Sequence, residues 1–170
     1  MEPRTAQPFV RRADLAGPDA ATVGELVAAY LEQTLLEESA HTGVPIADGG
    51  LPERYRGEVD DPARAYERAT VLLGGLGETP LAMAVVWRAE RYREIKRVWV
   101  DPLARGRRIG SALIRAALDG ADAPTRLTVW DWREDAIRLY RRHGFVPMPS
   151  WESRPRLLCM EVDPAVPKTG

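Results

Sequence analysis

A strand that runs into Asp101-Pro102 and resumes as a helix after an Arg/Gly loop constrains this chain more than any other stretch. Ile95 to Val100 has the β-branched and aromatic make-up of a strand, and Pro102 ends it because proline cannot donate to a ladder. Beyond the break, Ile109, Ala112, Leu113, Ala116 and Ala117 recur at helical spacing, and Gly120 stands where a left-handed C-terminal cap belongs. Arg105 to Ser111 therefore lies at a helix N-terminus, where backbone N–H groups lack intrahelical partners and the dipole favours an anion. Glycines at 106 and 110 let a ligand approach that backbone, which suits a phosphate. No Gly-Lys-Ser/Thr follows, so the turn is not a P-loop, and it lacks the three-glycine dinucleotide fingerprint.

The chain has 170 residues, 45% hydrophobic and 29% charged, the size and balance of one globular domain. A single domain over 1–163 is expected, with a disordered tail over 164–170. A net charge of -1 gives no global reason to bind nucleic acid or an anionic membrane, so the arginine cluster is a local feature. Cys159 is the only cysteine, which excludes an intrachain disulfide. Neither His41 nor His143 lies in a cluster with zinc-ligand spacing, and no metal is expected. The N-terminal residues lack the apolar core of a signal peptide, and no apolar run approaches membrane-spanning length. A cytoplasmic location is the expectation.

Phe9 to Ala13 reads as a short first strand. From Asp19, a favourable N-cap, Val23, Leu26, Val27, Tyr30, Leu31, Thr34 and Leu35 mark one helix face that continues to about Ser39. Glu32, Glu37 and Glu38 gather near its C-terminal end, where the dipole disfavours carboxylates. They form either a solvated acidic face or an attractor for a cationic substrate. Residues 40–60 hold too many glycines and prolines for a long element and read as a loop or lid containing His41 and Tyr55. Asp61 to Arg68 allows a short helix opened by Pro62.

Thr70 to Leu73, Leu81 to Trp87 and Ile95 to Val100 then form an antiparallel meander, with Gly74-Gly75-Leu76-Gly77 as its first connection. After the Arg/Gly loop and its helix comes a strand at Arg126 to Trp130. A right-handed crossover makes 95–100 and 126–130 parallel neighbours. Asp131 to Asp135 opens another helix that passes through Ile137, Tyr140 and His143 and is closed by Gly144. Phe145 returns to strand, Pro147, Pro149 and Pro155 break the path to Arg156, and Leu157 to Val162 is the last strand. The fold class is α/β, a mixed, mostly antiparallel central sheet with helices on both faces.

Three features in this order resemble the GNAT superfamily of acyl-CoA-dependent N-acyltransferases. IKRVWVDPLARGRRIGSALI is similar to the family's pyrophosphate-binding Arg/Gln-x-x-Gly-x-Gly/Ala motif. AIRLYRRHGF at 136–145 is similar to its late helix with Leu-Tyr and a terminal Gly-Phe, and a closing strand pair follows. The resemblance implies acetyl-CoA as cosubstrate, its pyrophosphate on the N–H groups of Arg105, Gly106, Arg107, Arg108, Ile109, Gly110 and Ser111. It also implies that the acyl and pantetheine groove runs along Val98, Trp99 and Val100, with Arg133 beside the cofactor arm. Two positions depart from the pattern: Arg108 stands where the middle glycine is usual, and Arg133 where an asparagine often stands.

The same resemblance assigns chemistry. An alkylammonium must lose a proton before it can attack, and Glu94 matches the Glu-Ile that supplies the base in some members. Tyr140 matches the family's general acid, which reprotonates the departing thiolate and touches the cofactor. A backbone N–H near Val100 serves the oxyanion. The acceptor pocket lies between the first helix and the Pro-rich loop before the last strand. Its expected contacts are Glu37, Glu38, Trp87 and Trp151, with Arg154 and Arg156 available to an acceptor carboxylate. The implied function is acetyl transfer to a primary amine by direct attack, with a small-molecule acceptor, no nucleic-acid or membrane partner, and a homodimer left open. The alternative is a catalytically inactive CoA-binding sensor or partner module of the same fold.

Overall fold

The computed structural model describes residues 6–165. The chain runs β1 (Pro8–Arg12), α1 (Asp19–Thr42), α2 (Glu53–Asp60), α3 (Pro62–Ala65), β2 (Ala69–Leu76), β3 (Thr79–Arg88) and β4 (Arg93–Val100). A 3-10 turn (Pro102–Ala104) then leads to α4 (Ile109–Leu118), β5 (Thr125–Trp130), α5 (Glu134–Arg142), β6 (Val146–Met148) and β7 (Leu157–Val162). The strands form one seven-stranded sheet in the order β1-β2-β3-β4-β5-β7-β6. Among the described residues only β4 and β5 pair in parallel; the other pairings are antiparallel. The expected mixed, mostly antiparallel sheet is present.

Alternation along the central strands divides the core between the two faces. Leu72, Ala84 and Val86 pack with Ile109, Leu113 and Ile114 of α4 and with Ile137 and Tyr140 of α5. Val71, Leu73, Met83 and Val85 pack with Val23, Val27 and Leu31 of α1. No helix among the described residues is long and apolar enough to cross a membrane.

Several expectations need correction. Asp19 is the first helical residue of α1, not its N-cap, and Pro18 stands in the cap position. The Asp19 carboxylate instead accepts from the Arg11 guanidinium at 2.6 Å and from the Asp14 N–H at 2.8 Å, clipping β1 to the start of the helix. α1 runs on to Thr42 and ends at Gly43 with φ 75°, so His41 lies in its last turn, not in a loop. The breakers concentrate in 43–52, and 53–60 is helix. Gly57 sits within that helix with open space around it, a cost of about 1 kcal/mol that the helix tolerates.

Gly74 and Gly75 are not a turn but part of β2. A Cβ at Gly74 would come within 3.0 Å of Ile109, and one at Gly75 would overlap the Thr79 carbonyl, so glycine there serves close approach. Pro147 lies inside β6, which it can because β6 is the sheet edge. Of the expected tail, residues 166–170 lie outside the described residues.

Two features of β4 prepare the site. Its register with β3 shifts between Met83↔Trp99 and Val85↔Lys96, one extra residue on β4, and Arg97 takes a left-handed φ of 56° at this bulge. Parallel pairing with β5 is confined to Arg93↔Thr125 and Glu94↔Arg126, after which the two strands part.

Candidate active site

The gap between β4 and β5 opens into a cleft of about 1160 Å³. Its walls are the second half of α1, the bulged end of β4, the 105–111 turn, α5 and the loop before β7. Glu94, Val98, Trp99 and Val100 reach it from β4, Arg133 and Tyr140 from the start and face of α5, and Glu37 and Glu38 from α1. Arg105, Gly106, Arg108, Ile109, Gly110 and Ser111 form its floor at one end, whereas Arg107 is exposed and does not line it.

At that end the chain is shaped for an anion. Arg108 takes φ 63° and ψ 14° immediately before α4, a left-handed conformation that accounts for the usual preference for glycine at this position. Gly106, at φ 78°, has nothing within 4 Å of the place a Cβ would occupy, so its backbone is open to a ligand. A Cβ at Gly110 would meet Leu139 at 3.3 Å and Val100 at 3.6 Å, which lets α4 start hard against β4 and α5. Ser111 shares a hydrogen bond of 2.8 Å between its Oγ and His143 Nε2. Burial and the nearby Arg115 and Arg142 hold the His143 imidazole below its ordinary value, so it is neutral at pH 7. Arg105 turns back: its Nε donates to the Val100 carbonyl at 3.1 Å and its guanidinium lies 5.1 Å from the Trp99 ring centroid.

The candidate reactive groups also line the cleft. Asp101 N–H donates to the Leu81 carbonyl, and alternation along an antiparallel ladder therefore turns the N–H and C=O of Val100 away from β3, toward the gap. Arg105 meets that carbonyl; the Val100 N–H points the same way. Tyr140 is buried on α5, and burial, reinforced by Tyr30 and opposed by Arg133, pushes its phenol well above the ordinary value. It therefore keeps its proton at neutral pH and can donate it. Glu94 is partly open to the cleft, with Lys96 Nζ 3.5 Å from its carboxylate.

Tyr30, one of the positions on the inward face of α1, is a further residue of the site. It lies in the cleft wall with the guanidinium carbons of Arg97 and Arg133 at 5.6 and 5.4 Å from its ring centroid, and edge-on to Trp99. Arg97 is itself held by Glu58, with two hydrogen bonds of 2.7 Å. Nothing in the local sequence announces this pairing, which joins residues far apart in the chain.

The cleft is bridged from α1 to the start of α5. Arg133 donates to Glu37 and to Thr34 Oγ1, each at 2.7 Å, and Trp132 Nε1 donates to Glu37 at 3.3 Å. Burial alone would raise the Glu37 carboxyl, but hydrogen bonds from Gln33 and Arg133 outweigh it and hold the group below the usual range. Beside this bridge His41, Trp132 and Trp130 stack, with both centroid spacings at 4.6 Å. Arg156, at φ 68°, donates to Asp131 and to the His41 carbonyl, and Arg154 donates to Glu152. Of the residues expected at the acceptor, Glu37 is thus engaged by Arg133, while Glu38 lines the cleft.

Trp87 and Trp151 are not brought to the cleft. Trp87 packs edge-on against Tyr66, at 6.3 Å, beside a separate cavity of about 130 Å³. Trp151 lies under the Arg126 guanidinium, 4.8 Å from its ring centroid, and does not line the cleft. Among the described residues no group of His, Cys, Asp and Glu could hold a metal ion.

Comparison with known proteins agrees with this geometry. No curated protein matches the chain. Among solved structures, a histone acetyltransferase HPA2-related acetyltransferase from Corynebacterium glutamicum is similar at 22% identity and a TM-score of 0.67, covering 95% of this chain and 98% of that one. A GNAT-family acetyltransferase from Staphylococcus aureus is similar at 12% identity and a TM-score of 0.64, covering 92% and 99%. The yncA structure from Salmonella typhimurium, solved with its cofactor acetyl-CoA, is similar at 20% identity and a TM-score of 0.60, covering 96% and 99%. These likenesses speak for the fold. The family match covers residues 30–145, more than half of the sequence and nearly all of the cleft, and on it the chain belongs to the acetyltransferase (GNAT) family.

Proposed function

We propose that this protein transfers the acetyl group of acetyl-CoA to a primary amine by direct attack, with a small molecule as acceptor. The observation that carries the proposal is that the cleft opening where β4 and β5 part is lined by Val100, Tyr140 and Glu94 together. The open backbone at Gly106 and the left-handed turn into α4 fit the pyrophosphate of the coenzyme. The yncA structure, with acetyl-CoA bound to the same fold, supports that cosubstrate.

Acetyl-CoA, when bound, supplies an activated acetyl thioester. Glu94 takes a proton from the entering ammonium, directly or through water, and so frees the lone pair that forms the new C–N bond. The Val100 N–H donates to the acetyl oxygen as it gains charge. Tyr140 gives its proton to the sulfur as the C–S bond breaks, the second proton of the acylated nitrogen passes through water to the Tyr140 phenolate and restores the phenol, and the proton held on Glu94 returns to solvent. Arg133, anchored by Glu37 and Thr34, opposes the rise in the Tyr140 pKa and so eases that transfer. The bridge from α1 to 132–133 crosses the cleft, which favours a small acceptor over an extended peptide.

The test is release of free thiol from acetyl-CoA with a panel of primary amines, the acetylated product being identified by mass spectrometry. Amine-dependent thiol release is expected. Coenzyme binding without amine-stimulated release from any member would favour the binding module instead.

A further inference from the structure

His143 has no part in the transfer chemistry, yet its Nε2 stands 2.8 Å from the Ser111 Oγ in the first turn of α4. Ser111 lines the cleft beside the open backbone of Gly106 and the turn at Arg108. His143 follows directly on α5 and lies behind Ser111, outside the cleft lining. The charged groups acting on it are Arg115 of α4 and Arg142 of its own helix.

A serine hydroxyl has one hydrogen to give. A neutral imidazole nitrogen is either a donor or an acceptor, whereas a protonated imidazole donates from both nitrogens. If Nε2 accepts the Ser111 hydrogen, the Oγ turns only lone pairs toward the cleft, and these repel a phosphate oxygen. If Nε2 carries a hydrogen, it donates to Oγ and the hydroxyl hydrogen is free for the ligand. Protonation makes the second arrangement the only one. A bound pyrophosphate also offsets the burial and the two arginines that keep the imidazole neutral.

We propose that His143 is a positioning residue for the phosphate end of the coenzyme: it takes up a proton as the coenzyme binds and so turns the Ser111 hydroxyl toward the ligand. The proposal rests on placing the pyrophosphate at the 105–111 turn. Proton and coenzyme then bind together, and each strengthens the other.

The experiment is calorimetric titration with dephospho-CoA. This ligand keeps the pyrophosphate but lacks the 3′-phosphate, whose ionisation near pH ~6 would confuse the result. Between about pH 8 and about pH 5.5 the wild-type affinity should rise up to roughly tenfold as His143 takes up its proton on binding. Heats in buffers of different ionisation enthalpy should register the proton taken up. His143→Gln keeps an amide donor for Ser111 and cannot titrate, so its affinity should not follow pH. Ser111→Ala should bind more weakly and be equally flat. A flat wild-type profile, as a simple change of tautomer would give, overturns the proposal, and so does a slope that survives in His143→Gln. Absence of binding by the wild type at every pH overturns the coenzyme site as well; binding without a slope overturns only the role of His143.

Discussion

Arg133 Nε and Glu37 Oε2 meet at 2.7 Å across the cleft, joining the start of α5 to the second half of α1. Both side chains are largely buried, with 19% and 24% of their surface exposed. An ion pair so placed is costly to break from one side, because the remaining charge stays desolvated. Glu37→Ala should lower the unfolding free energy by about 1–3 kcal/mol in chemical denaturation. It should also weaken turnover, since Arg133 loses its anchor beside Tyr140. A variant as stable and as active as the wild type would mean that the bridge is incidental.

Tyr140 is the buried donor for the leaving thiolate. Tyr140→Phe removes only a hydroxyl, so acetyl-CoA affinity should stay within about twofold while turnover falls on the order of 10²-fold, the lower range for a lost general acid. Steady-state kinetics and a direct binding titration separate the two. Equal turnover in both proteins would remove Tyr140 from the mechanism.

Arg108 enters α4 with φ 63°, where a side chain costs roughly 1–2 kcal/mol and glycine costs nothing. Arg108→Gly gives back part of that gain through the freer unfolded chain. A net stabilisation of about 0.5 kcal/mol is expected from urea unfolding, together with weaker coenzyme binding because a cation is lost from the phosphate end. Clear destabilisation would show that the Arg108 side chain holds the turn.

The contrast between Arg108 and the rest of the site marks what the sequence discloses. The 105–111 turn, the Tyr140 helix and the parallel β4/β5 neighbours are legible because each depends on local spacing: a proline stop, helical periodicity, a terminal Gly-Phe. Glycines mislead at 74 and 75, where they serve packing against α4 and the Thr79 carbonyl; the same composition elsewhere makes turns. The bulge at Arg97 and the pairs Arg97–Glu58 and Arg133–Glu37 are invisible, because they depend on which distant side chains the fold brings together. The places of Trp87 and Trp151 depend on the neighbours the fold supplies: Trp87 packs against Tyr66 and Trp151 against the Arg126 guanidinium, and neither lines the cleft.

Asp19 predicts how the fold responds to acid. Its hydrogen bond from Arg11, helped by the Asp14 N–H and outweighing burial, lowers its pKa from 3.8 to about 2. A depressed carboxylate contributes stability above its unfolded pKa and loses it as the group protonates in the native state, here between about 4 and about 2. Allowing for the half-exposed Arg11 guanidinium, the contribution is about 1 kcal/mol. Asp19→Asn should therefore be less stable than the wild type at neutral pH and converge with it near pH ~2. A constant difference across that window would assign the effect to packing.

The coenzyme site is the claim on which the rest depends, and thermal melting with and without acetyl-CoA tests it most directly. Ligand at about 100 times its dissociation constant adds about 2.7 kcal/mol, a rise of roughly 5–10 °C for a domain of this size. Acetyl-CoA and free CoA should each raise the melting temperature of the wild type, and ATP should not. Gly110→Trp, which forces a bulky side chain between Leu139 and Val100 at the mouth of the turn, should melt cooperatively without responding to either. No shift in the wild type, or an equal shift in Gly110→Trp, would contradict the placement of the coenzyme between β4 and β5.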